Sequence, residues 1–130
     1  MIPRQIALIC HTPPGIVAHW DFLYERTPGS ALCPTWRLTQ PCHISRGSTK
    51  AIRLFDHRRH YLELESEHIS DKVGSVKPEI SGCIMDIDDI DNPSCVVVRW
   101  SNGQQSKLVF LNQELHYEPL VQADQTSEAR

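Results

Sequence analysis

The chain has no C-x-x-C pair, no internal repeat, no apolar run of membrane length and no sustained helical periodicity. Each absence excludes something. The five cysteines, Cys10, Cys33, Cys42, Cys83 and Cys95, are odd in number and widely scattered, which argues against both a zinc knuckle and a disulfide framework. Thiols of that kind fit a reducing, cytoplasmic setting. The opening stretch MIPRQIALICHTPPG is too briefly apolar for a signal peptide, and no membrane partner is expected. A formal net charge of -3 rules out a chain-wide basic surface, so any polyanion must be met by a local patch. The acidic run from Met85 to Asp91 lacks the loop glycine and distal glutamate of a calcium site and reads as a solvated rim.

What remains is a single globular domain: 130 residues, 40% hydrophobic and 22% charged, enough to bury a core without staples. Short segments rich in Val, Ile, Leu, Trp and Tyr alternate with Pro, Gly, Asn and Ser clusters. They predict strands over 5–12, 18–25, 33–38, 50–55, 61–65, 73–78, 82–87, 95–100, 106–111 and 114–120, with a turn near 56–60. Asn102-Gly103 between VVVRW and SKLVF is a hairpin signal, because both residues tolerate positive φ. The expected fold is all-β, a single-domain antiparallel β-barrel over 1–121 with little helix. Residues 122–130 form a polar tail, expected to fray.

Chemistry concentrates in HTPPGIVAHWD, residues 11–21. His19 and Asp21 are two apart, so an extended strand sends both to one face. Thr12-Pro13-Pro14-Gly15 is a turn-forming run that lets His11 come back toward them. Two imidazoles and one carboxylate then suit a divalent transition metal with open positions for water or substrate. His-x-Asp alone is a weak signal, since a lone histidine in a strand is most often a surface or satisfied core residue. A second cluster, Asp56-His57-Arg58-Arg59-His60-Tyr61, is the one concentrated basic patch, and Lys50 and Arg53 extend it. Arginine forks and histidine suit phosphate oxygens, and tyrosine donates or stacks. The bland reading pairs those arginines with Glu63, Glu65 or Glu67. Taken together, the two clusters match the needs of metal-assisted phosphate-ester hydrolysis.

The order of these motifs resembles the 3′-phosphoesterase domain of bacterial DNA ligase D. The matching residues are His11, His19-Trp20-Asp21, Thr35-Trp36-Arg37-Leu38, Asp56-His57 through Tyr61-Leu62-Glu63-Leu64-Glu65, and Gly74-Ser75-Val76 with Gly82, across about residues 5 to 85. The resemblance implies a compact β-barrel hydrolase that removes 3′-terminal ribonucleotides and 3′-phosphates from nucleic acid in DNA repair. It implies Mn2+, or another divalent metal such as Zn2+ or Co2+, on His11, His19 and Asp21. It implies His57 and Tyr61 as the catalytic pair at the phosphate, with Lys50, Arg53 and Arg58 as phosphate contacts. The implied partners are nucleic-acid 3′ ends and, for the free-standing member expected here, separate ligase or end-joining proteins.

The chain departs from the family pattern in places. Leu23 stands where an arginine is usual, and Ile9 where a polar residue is. The lysine after the tryptophan strand is missing, with Gln40 or Arg46 the nearest stand-ins, and the His11–His19 spacing is two residues longer. These changes leave a second reading open: a non-catalytic scaffold of the same fold that binds a metal or a nucleic-acid end. A cupin-like metalloenzyme is disfavoured by the lack of a Gly-x(n)-His-x-His motif.

Overall fold

A computed structural model describes residues 2–120; the tail expected over 122–130 lies outside them. The strands are β1 (Gln5–Thr12), β2 (His19–Tyr24), β3 (Leu32–Leu38), β4 (Gly47–Arg58), β5 (His68–Ser70), β6 (Gly74–Ile87), β7 (Cys95–Trp100), β8 (Gln105–Leu111) and β9 (Glu114–Leu120). Neighbours run β1-β2-β3-β4-β9-β8-β7-β6, and antiparallel pairing of β6 with β1 closes the ring. Eight strands therefore make a closed barrel, and short β5 flanks the start of β6 from outside the ring. A barrel of this size is just wide enough for side chains to fill. Phe22, Tyr24, Trp36, Trp100, Leu108 and Leu115 do so here. Among the described residues no helix is long and apolar enough to cross a membrane.

β1 is buried on both faces, which is why IALIC reads as an unbroken apolar run. Ile6 and Leu8 point into the barrel. Ala7 and Ile9 point out and join Leu23, Cys33 and Val76 in a second apolar layer on the outer wall. Leu62 caps that layer, with Tyr61, Leu64 and Val73 packed beside it. These four belong to a strap, residues 59–73, laid across the outside of β1.

The strap corrects one expectation. Residues 61–65 are not a strand: Arg59–Tyr61 is a single 3-10 turn and the chain after it is irregular. Tyr61, Leu62 and Leu64 are apolar because they cover the outer layer. Glu25, 2% exposed at the end of β2, anchors the strap's entry. Its carboxylate accepts from the Gln5 amide at 2.7 Å, the Gly29 amide at 2.6 Å and the Arg59 guanidinium. Burial pushes the Glu25 carboxyl up, but these donors outweigh it and hold it below the usual glutamate range.

Two further expectations shift. The strands expected over 73–78 and 82–87 are one long strand, β6, bent by a bulge where the pairing of Leu8 with Ile80 gives way to that of Ile9 with Pro78. Gly82 is no turn within it. A Cβ there would lie 2.3 Å from the Arg99 carbonyl oxygen, so glycine marks a close approach to β7. The strand expected over 50–55 runs from Gly47 to Arg58. The Asn102-Gly103 hairpin is present, with Gly103 at φ 89°. The two-residue turn with positive φ at both positions is Asn112-Gln113, joining β8 to β9.

Candidate metal centre

β1 and β2 form one hairpin, in which His11 lies opposite His19 and Ile9 opposite Asp21. The reversal uses the Pro-Pro-Gly run, with the Ile16 amide donating to the Pro13 carbonyl at 3.2 Å and Gly15 at φ 69°. Odd-numbered residues on these strands face outward, as Ala7, Ile9 and Leu23 show. His11, His19 and Asp21 therefore emerge together on the outer wall, beside the strap.

One donor atom from each of the three lies within 4.8 Å of the others. His11 Nδ1 is 3.1 Å from His19 Nε2, which is 3.5 Å from Asp21 Oδ1. The far nitrogen of His11, Nε2, donates to the Val73 carbonyl at 2.8 Å. With that proton on Nε2, Nδ1 is left as the acceptor facing the group, where it meets His19 Nε2; a carbonyl orients a metal-bound histidine in the same way. Asp21 is 2% exposed, yet its Oδ1 has no hydrogen-bond partner. A buried acceptor left unsatisfied costs about 1–3 kcal/mol. A cation among the three donors would remove that cost. Burial pushes the His19 imidazole below its usual value; Asp21 opposes this, and the charges of Arg37 and His11 reinforce it. The neutral ring is the ligating form. His11, His19 and Asp21 could thus hold a metal ion.

A cavity of about 210 Å³ opens beside the triad. His11 and Asp21 form one side, while His57, Arg58 and Tyr61 form another. His57 Nε2 lies 4.0 Å from Asp21 Oδ2, and its Nδ1 donates to the Phe55 carbonyl at 3.1 Å, so Nε2 faces the cavity. The rings of His57 and Tyr61 are 5.8 Å apart.

His57 reaches this place through a bulge. Across the β3–β4 ladder Thr35 pairs with Leu54 but Cys33 pairs with His57, which leaves one extra residue in β4 at Phe55–Asp56. The insertion reverses the alternation of inward and outward side chains. Below it Arg53 lies over the Trp36 ring at 5.8 Å, bonds Asp56 at 3.1 Å and donates to the Asp91 carbonyl at 2.6 Å. Above it His57 faces outward with Cys33. Five of the expected residues, His11, Asp21, His57, Tyr61 and Arg58, therefore line one cavity, and His19 adjoins it through His11. Lys50 and Arg53 are not brought there: Lys50 lies opposite Glu114 on the β4–β9 ladder, and Arg53 is held by its acidic neighbours.

Three contributors are given no role at the site by the motif reading. Arg37, directly across the ladder from Asp21, brings Nε to 3.7 Å from Oδ1. Alternation along β3 carries that signal, because Thr35 and Arg37 share the face opposite Trp36 and Leu38. Phe55 and the Val73 carbonyl join from the bulge and the strap. Of the positions that depart from the family pattern, Leu23 is fully buried in the outer apolar layer, and Arg46 pairs with Glu118 at 3.4 Å. No protein-family model and no curated protein matches this chain.

Proposed function

We propose that this protein is a metal-dependent phosphoesterase acting on the 3′ ends of DNA or RNA, in the manner of the ligase D domain it resembles. The observation that carries the reading is the meeting of two chemistries in one cavity: a His-His-Asp donor set with an orphaned carboxylate oxygen, and a His57–Arg58–Tyr61 wall. A divalent ion on His11, His19 and Asp21 would polarise a phosphate oxygen. Manganese is the ion the resemblance favours.

The chain's own groups supply the rest. Arg58, on the cavity wall, places positive charge where the phosphoryl group gathers negative charge. The Tyr61 hydroxyl donates to a phosphate oxygen and orients it. The Phe55 carbonyl holds His57 Nδ1–H, so Nε2 is aimed at the cavity. Water forms the new P–O bond, and His57 in its imidazolium form, protonated on Nε2 as well, gives that proton to the departing ester oxygen. With a 3′-phosphate the leaving group is the 3′-oxygen and the product is a 3′-hydroxyl, the end that repair synthesis and ligation require. With a 3′-terminal ribonucleoside the leaving group is its 5′-oxygen, and the 3′-phosphate left on the primer is removed in a second hydrolysis.

The test is phosphate release from a 3′-phosphorylated primer, and nucleoside release from a 3′-ribonucleotide-tipped primer, with added manganese. His11→Ala and Asp21→Ala should each lower turnover by at least about 100-fold, the usual cost of losing electrostatic stabilisation at a reacting group. Turnover equal to the parent's in both variants would remove this site from the reaction. Leu23 favours a second reading, since a buried apolar side chain stands where the family carries a cation. On that reading the barrel binds 3′ ends without turning them over, and binding with no product in the same assay would decide for it.

A further inference from the structure

Phe55 is a large apolar side chain in an unusual position. It is 83% exposed, it stands on the bulge of β4, and it borders the cavity beside the metal donors. Its ring lies 5.3 Å from that of His57 at an interplanar angle of 34°, so one face rests near the histidine and the other is open to solvent. Scattered exposed apolar residues need no explanation. This one differs because the backbone insertion that turns His57 toward the donors also lifts Phe55 to the cavity mouth.

We propose that Phe55 is a stacking platform for a nucleobase at the 3′ end of the substrate, and that it makes the site prefer ends that carry a base. The inference rests on the phosphoesterase reading above and adds a subsite to it. Size supports it. Pockets that enclose a whole drug-sized ligand hold about 300–1,000 Å³, whereas this cavity holds about 210 Å³. It takes a phosphate and part of its sugar, and the base must lie at the mouth. The polar groups bordering the cavity suit the phosphate: Arg58, His57 and Tyr61 all face it. At the mouth an exposed flat apolar ring suits the π-face that every base shares. A protein partner would need a contiguous interface, and a lone ring framed by His57, Asp56 and Arg58 is not one. Recognition through the π-face carries no base identity, so all four bases should be accepted alike.

The experiment compares 3′-phosphorylated oligonucleotides that end in each of the four nucleosides with one that ends in an abasic residue. Parent protein, Phe55→Ala and Phe55→Trp are assayed with manganese, by turnover and by anisotropy of a 5′-labelled strand. Stacking on an aromatic side chain corresponds to about 5- to 150-fold in affinity. The parent should therefore favour the four base-bearing ends over the abasic end by about ten-fold or more, with little difference among the four. F55A should lose that preference, and F55W should keep it. A preference that survives intact in F55A, or is absent from the parent, overturns the platform. If no substrate is turned over, the phosphoesterase reading fails. The anisotropy arm still decides this proposal, because base-dependent binding lost in F55A and kept in F55W upholds it, and any other pattern sinks it.

Discussion

Replacing Asp21 by asparagine should separate what the triad does for the fold from what it does for an ion. The carboxylate is 2% exposed, with one oxygen unpartnered, the His19 ring at 3.5 Å and the Arg37 guanidinium at 3.7 Å. Arg37 is 44% exposed, so its long contact contributes at most about 1 kcal/mol. The orphaned oxygen costs about 1–3 kcal/mol in the opposite direction. An amide of the same shape loses the first term and relieves the second, so metal-free D21N should melt within a few degrees of the parent, or above it. Manganese tells the two apart. A ligand at 100 times its dissociation constant stabilises the folded state by about 2.7 kcal/mol. At about 4 °C per kcal/mol for a domain of this size, the parent should melt about 10 °C higher in manganese than in chelator. D21N should shift by less than about 2 °C on the same scale. The assay is thermal melting of untagged protein followed by circular dichroism. An equal shift in both proteins would place the ion elsewhere. No shift in either would refute the donor set as a metal centre.

Three other perturbations probe the strap and the cavity. Glu25→Gln should destabilise by about 1.5–3 kcal/mol, the worth of a hydrogen bond to a charged group, because the buried carboxylate that accepts from Gln5, Gly29 and Arg59 is lost while Arg59 keeps Glu63. The folded Glu25 carboxyl titrates below its unfolded value of about 4.3, so its contribution is complete above that pH and lost as pH falls through the lower, folded value. Urea melts between about pH 3 and 7 should show a flatter acid limb in E25Q than in the parent. Leu62→Ala removes the cap of the outer apolar layer and should cost about 2–4 kcal/mol, with faster amide exchange over residues 59–73 than in the barrel interior. Arg58→Ala should raise the KM for a 3′-phosphorylated primer about ten-fold, as the loss of one charge-assisted contact does, while Lys50→Ala should not; the reverse order would put the phosphate on the β4–β9 side of the barrel.

Much of the barrel was legible because its signals are local. The Pro-Pro-Gly reversal predicts the β1–β2 hairpin, and the spacing of His19 and Asp21 predicts a shared face, which the ladder bears out. The all-β class follows from the density of short β-branched segments. The difficulties arise where side-chain direction depends on contacts far along the chain. Arg53 and His57 have the same parity, so a straight strand would put both on one face; the extra residue at Phe55–Asp56 sends them to opposite faces, and it becomes visible only against β3. Residues 61–65 carry a strand-like composition, yet the edges beside them are taken, so they cover a wall instead of joining it. Arg37 sat within a motif already read, but its pairing with Asp21 required the β2–β3 register. The Val73 carbonyl is backbone, and no side-chain identity could announce it.

Placing the candidate chemistry on the outside of a closed barrel decouples two tasks that many small domains must share. The interior, with its rings of Trp, Phe and Leu, is free to drift in sequence so long as its volume is kept, because those side chains form a cluster separate from the outer layer beside the donors. Invention is confined to one hairpin, one arginine on the strand beside it, one insertion and one strap, a surface small enough to be remade without renegotiating the fold. Transplanting those four pieces onto another eight-stranded barrel is therefore a feasible exercise in grafting.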